Sequence, residues 1–132
     1  MTEQNEQEQL ERKLEGIDPR ILDSECAVYA QHLGDAARAH ADSLDHFAST
    51  KRHRELVYAL QMIHHRALLT VGGKEPTVSK LENIVETDEQ YHDARLAEAG
   101  AAVELSMATA HLEAMRAKGR MLESLVALRV SK

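Results

Sequence analysis

Residues 71–77 read VGGKEPT, and no other stretch interrupts the chain so firmly. Two adjacent glycines supply positive-φ positions, and Pro76 constrains how the next element can start. On the N-terminal side, from Arg20 to about Val71, there is no proline and the only interior glycine is Gly34. On the C-terminal side, residues 77–118 contain no proline and one glycine, Gly100. The stretch therefore predicts a turn between two long helices, at 16–71 and 77–118, with the turn at 72–76. The expected fold class is all-α: a long antiparallel helical hairpin.

Working upstream, apolar and near-apolar positions fall at Leu22, Cys26, Tyr29, Leu33, Ala37, His40, Leu44 and Phe47, spaced by three or four as on one helical face. Leu56, Leu60, Ile63 and Ala67 form a second stripe, displaced around the helix from the first. Either the helix kinks near Ser49–Thr50, or the stripe wraps around to meet a second partner. Asp18 followed by Pro19 gives a helix start. Residues 1–15 are rich in Glu and Gln and are expected to be disordered, with at most a short frayed helix on Leu10 and Leu14 that ends at Gly16.

Working downstream, Leu81, Ile84, Val85, Asp88, Tyr91, Leu96, Val103, Leu105 and Met115 mark a helix of about forty residues. Its second half is rich in alanine, and close helix packing would be a sufficient reason for Gly100. The stretch AHLEAMRAKGRMLESLVALR (110–129) then sets Gly119 behind Arg116 and Lys118, cations placed where a helix C-terminus favours them. The reading is that Gly119 hinges a short C-terminal helix over 119–130. A free helix that short is marginal alone, so it must dock. Met115, Gly119, Met121, Leu122, Leu125, Val126 and Leu128 are the expected contacts with a neighbouring subunit.

Composition supports a helical chain with a thin core. Of 132 residues only 3% are aromatic, and there are two prolines. A small core in a long helical chain is often completed by another copy. The net charge of −6 argues against a general nucleic-acid binder, but it is unevenly spread. Residues 1–28 carry eight acids against three bases, and residues 76–132 nine against seven. Residues 29–75 carry five acids against six bases and six of the eight histidines, so a polyanion would be drawn there. One cysteine, Cys26, excludes an internal disulfide and reads as a small buried hydrophobe. With no long apolar run and no basic-then-apolar leader, the expectation is a cytoplasmic protein with no membrane contact.

The segment LENIVETDEQYHDARL, the tail HLEAMRAKG and the short MLESLVALR, in that order from Leu81 to Arg129, resemble the phage recombination mediators of the UvsY type. From Ile17 to Gly73 the likeness is one of layout alone: an acidic entry, VYAQHL, a basic mid-helix stretch and a glycine turn. The resemblance implies an all-α homo-oligomer, ring-shaped and of roughly six to eight subunits, assembled through its C-terminal region. It also implies a protein that binds single-stranded DNA without sequence preference. Such a protein helps a RecA-like recombinase load onto DNA coated by single-strand-binding protein, in recombination, repair and replication in the infected bacterial cell. The chain departs from the family in being acidic overall.

The candidate DNA contact lies in STKRHRELVYALQMIHHR, residues 49–66. Lys51, Arg52, Arg54 and Arg66 can bind phosphate oxygens. Tyr58 or His53 could stack on a base. Protonation of the segment's histidines would tighten binding. The plainer possibility is a solvated face with pairs such as Arg52–Asp45 or Lys51–Glu55. Glu89-x-x-His92 resembles half of a di-iron site, but no second copy exists, and Asp42, His46 and His53 lack a further ligand. No metal, cofactor or catalytic residue is expected. A second class of function is a structural rod or helical adaptor, for instance a small phage protein that inhibits a host factor.

Overall fold

A computed structural model describes residues 3–9 and 19–131. Helix α1 covers residues 3–9, α2 Pro19–Leu69, α3 Val78–Glu86 and α4 Glu89–Ser131. No strand occurs among the described residues beyond an isolated bridge, Val71 to Lys74. The all-helical class is as expected. The helical stretch at 3–9 departs from the expected disorder, because Glu and Gln are good helix formers even where nothing apolar is buried. The frayed helix on Leu10 and Leu14 and its end at Gly16 lie outside the described residues.

The turn forms where VGGKEPT places it. The Thr70 N–H and hydroxyl both donate to the Arg66 carbonyl, at 3.0 and 2.6 Å, and close α2. Val71 and Lys74 exchange backbone hydrogen bonds across Gly72 and Gly73, whose φ angles are 60° and 80°. Two consecutive positive φ values are what a type I′ turn requires. Thr77 then caps α3, its hydroxyl accepting from the Lys80 N–H at 3.3 Å.

The expected single helix from 77 to 118 is broken at Thr87–Asp88. The Thr87 hydroxyl donates to the Ile84 carbonyl at 2.9 Å, which ends α3. The Asp88 carboxylate accepts from the Tyr91 N–H at 3.1 Å, which starts α4. Side chains that bond their own backbone favour ends over interiors, and here two of them adjoin.

The chain divides into two compact units, each made from parts of α2 and α4. Unit 1 comprises residues 1–40 and 108–132. Its core is Leu22, Leu122 and Leu125, with Cys26 and Tyr29 packed against it. The Lys118 ammonium lies 2.6 Å from Glu25, and Arg129 donates to Asp23 at 2.8 Å, so the two segments run antiparallel. The Lys118 hydrogen bond and charge hold the Glu25 carboxyl below its ordinary value.

Gly119 is not a hinge. α4 continues through it without interruption to Ser131. The glycine is buried, and a Cβ there would stand 2.0 Å from the Tyr29 hydroxyl oxygen and 2.5 Å from Cζ. The missing side chain makes room for a ring from α2. Leu122 and Leu125, expected at a subunit interface, are buried inside the chain for the same reason: the docking partner of 119–130 is the start of α2.

Unit 2 comprises residues 41–107. α2 is helical across Ser49–Thr50, where the Thr50 hydroxyl donates to the Phe47 carbonyl at 2.9 Å. Leu81, Val85, Tyr91, Ala94 and Ala101 are buried. The second stripe of α2 is not. Leu56, Leu60 and Ile63 are all exposed. Gly100, expected at a close helix contact, has nothing within 4 Å of where a Cβ would be.

The two glycines should therefore respond with opposite sign. Gly119→Ala gains about 1 kcal/mol of helix propensity but incurs about 1–3 kcal/mol of overpacking, a net loss of about 1 kcal/mol. In a Tyr29→Leu background the loss should vanish. Gly100→Ala should stabilise dilute protein by up to about 1 kcal/mol. Urea unfolding of the three variants checks both signs.

Candidate nucleic-acid interface

The basic segment of α2 divides by direction. Lys51, Arg52, His53 and Arg66 are exposed, whereas Arg54 and Tyr58 are half-buried and engaged within the chain. The Arg54 Nε donates to the Glu98 carboxylate, and a second guanidinium nitrogen lies 3.9 Å from Glu55. The bond to Glu98 fixes the charged form and raises the Arg54 pKa above its ordinary value. The Tyr58 ring meets Tyr91 edge-on, with centroids 5.3 Å apart at 60°. Desolvation raises the Tyr58 hydroxyl pKa. These two residues leave the expected DNA-contact set, because α4 supplies partners that a local reading of α2 cannot show.

Further along the same face, Gln61 donates to Gln90 at 2.7 Å, and His65 Nε2 lies 3.2 Å from Asp88 Oδ2. Arg54–Glu98, Tyr58–Tyr91, Gln61–Gln90 and His65–Asp88 thus form an antiparallel ladder of polar and aromatic pairs. A cavity of about 560 Å³ opens beside its first rung, lined by Phe47, Arg54, Glu86, Tyr91, Arg95 and Glu98 among others. The Arg95 guanidinium sits over the Tyr91 ring, 5.8 Å from its centroid.

What remains for a polyanion is Lys51, Arg52 and Arg66, with His53 beside them. At 100° per residue Arg66 projects between Lys51 and Arg52, about 21 Å along the axis from Arg52. Neither the Arg52–Asp45 nor the Lys51–Glu55 pair forms among the described residues. His64 stacks edge-on against His65 at 5.3 Å. Among the described residues no group of three or more His, Cys, Asp or Glu is gathered as a metal site would need. No helix there is long and apolar enough to cross a membrane.

The residues expected at an oligomer interface also divide. Gly119, Leu122 and Leu125 are buried in unit 1 and Met115 and Leu128 are half-buried, while Met121 and Val126 are exposed. A largely apolar cavity of about 610 Å³ adjoins them, lined by Cys26, Tyr29, Leu122, Val126 and Val130 among others. A feature the sequence reading missed lies on α4 in unit 2, where Leu96, Gly100, Val103 and Met107 form an exposed stripe. Its spacing of four, three and four is visible in the sequence, where Leu96 and Val103 serve only as markers of the helix.

No family model matches the chain, and neither a curated protein nor a solved structure was found to match it.

Two outcomes follow from the ladder. Arg54→Ala strands the half-buried Glu98 carboxylate and should cost about 1–2 kcal/mol in urea unfolding, against under about 0.5 kcal/mol for Arg52→Ala. The second outcome concerns pH. Partial burial raises the Asp88 carboxyl, but hydrogen bonds from His65 and from the Tyr91 and Gln90 N–H groups outweigh it and hold its pKa below the ordinary value. A depressed carboxyl contributes stability that is present above its unfolded value of about 3.9 and is lost as pH falls through the folded value. Asp88→Asn should therefore be less stable than the parent at pH 7, with the gap closing below about pH 4. A gap that persists in acid would show that the carboxylate charge is not what stabilises this joint.

Proposed function

We propose that this chain is a non-enzymatic single-stranded-DNA-binding protein that acts, as a homo-oligomer, as a recombination mediator. In this reading it promotes loading of a RecA-like recombinase onto DNA coated by single-strand-binding protein. The observation that carries the DNA half is the exposed, unspent set Lys51, Arg52 and Arg66 on one stretch of α2. The recombinase half is supported by the ordered likeness of residues 81–129 to the UvsY-type mediators. Three cations per chain are few, so affinity has to come from several copies presenting them together.

A second reading is favoured by a different observation. Leu56, Leu60 and Ile63 lie between the same cations along α2 and are exposed. Such a mixed face suits a helical adaptor acting through protein contacts.

Fluorescence anisotropy of a labelled oligo-dT separates the two. Under the mediator reading, binding at low salt is lost in the Lys51→Ala, Arg52→Ala, Arg66→Ala triple variant. For single strands log K falls with log salt by about 0.7 per neutralised phosphate, so the parent should lose up to about 2 units of slope per chain in that variant. No binding at low salt and pH 6.5 would leave the adaptor.

A further inference from the structure

Unit 2 leaves an apolar stripe uncovered on each of its long helices. On α2, Leu56, Leu60 and Ile63 are 56, 54 and 62% exposed. On α4, Leu96, Val103 and Met107 are 58, 59 and 68% exposed, with the bare backbone of Gly100 between them. A pair of open apolar stripes on one small unit is more than scattered surface hydrophobes require.

The stripes carry opposite charge. Residues 51–66 of α2 hold four bases against one acid, and residues 89–107 of α4 hold four acids against one base. Arg54 and Glu98 neutralise each other within the chain, which removes one charge from each side. Arg52 and Arg66 then bracket the α2 stripe within an arc of about 120° and a length of about 21 Å. Glu89, Asp93 and Glu104 flank the α4 stripe within about 100° and about 22 Å. All of these flanking charges are exposed. Two α2 stripes face to face would oppose cation to cation, and two α4 stripes acid to acid. Only the mixed pairing is complementary in sign.

We propose that the α2 stripe of one copy docks on the α4 stripe of a second copy, with Gly100 admitting the apolar side chains of α2 close to the helix backbone. The contact is heterologous, so it either closes into a ring or extends. It rests on the homo-oligomer part of the proposed function alone, and because it sets Arg52 and Arg66 against the acids of α4, it competes with the DNA contact for those two cations. DNA plays no role in it.

Sedimentation velocity at low salt without DNA is the test. The parent should run as a multi-subunit species, and Ile63→Asp or Val103→Asp should each reduce it to a monomer. An equimolar mixture of the two should recover a dimer and nothing larger, because each variant keeps one intact stripe. Circular dichroism establishes that both remain helical, and Leu60→Asp with Met107→Asp provides a second pair. A parent that is monomeric at every concentration overturns the proposal. So does a variant that keeps the parent's mass, or a mixture that stays monomeric. The oligo-dT titration is separate: assembly without DNA binding would defeat the mediator reading while leaving this contact standing.

Discussion

The ladder of Arg54, Tyr58, Gln61 and His65 against Glu98, Tyr91, Gln90 and Asp88 governs how unit 2 presents itself. An interface between two helices would ordinarily take the apolar face of each inward. Here α2 turns a polar and aromatic face toward α4, and each member finds a partner of matching chemistry. With that face committed, Leu56, Leu60 and Ile63 are rotated out to solvent. Unit 1 is built by the opposite logic, on Leu22, Leu122 and Leu125 with a tyrosine ring set over a glycine. Of the ion pairs at its edges, Arg129–Asp23 is exposed and Lys118–Glu25 only half-buried, and pairs so open to water contribute little. One helix thus serves an apolar contact near its start and a polar one toward its end.

Much of the fold was legible because its signals are local. The glycine pair at 72–73, the proline at 76 and the three-and-four spacing from Leu22 to Tyr29 are read within a few residues of where they act. The misreadings share a cause. Gly119 resembled a break because a glycine in a helix costs propensity, and its compensation, the Tyr29 ring, lies far away along the chain. Arg54 and Tyr58 looked like surface chemistry because their partners sit on α4. The stop at Thr87–Asp88 was within reach, since adjacent Thr and Asp are strong capping residues. The apolar pattern running across it outweighed that signal.

The electrostatic character of the chain changes accordingly. Counted in sequence, the mid-helix segment is its basic region. In the fold, one of its arginines is held by Glu98 and one of its histidines by Asp88, so the free positive charge is smaller and sits on the outward side of α2. Within unit 2 the outward side of α4, with Glu89, Asp93 and Glu104, is acidic. A chain with net charge −6 can therefore present a cationic face, and the sign of a partner is decided by which helix it meets.

The turn at Gly72 and Gly73 carries a consequence for chirality. Both residues hold φ in the half of backbone space that an L side chain resists and a D side chain prefers. Nothing lies within 4 Å of a Cβ at either position. In a chain made by chemical ligation, D-alanine would take these φ values in its relaxed conformation and narrow the unfolded ensemble. The corner between the long helices is thus the place where this fold favours the opposite handedness.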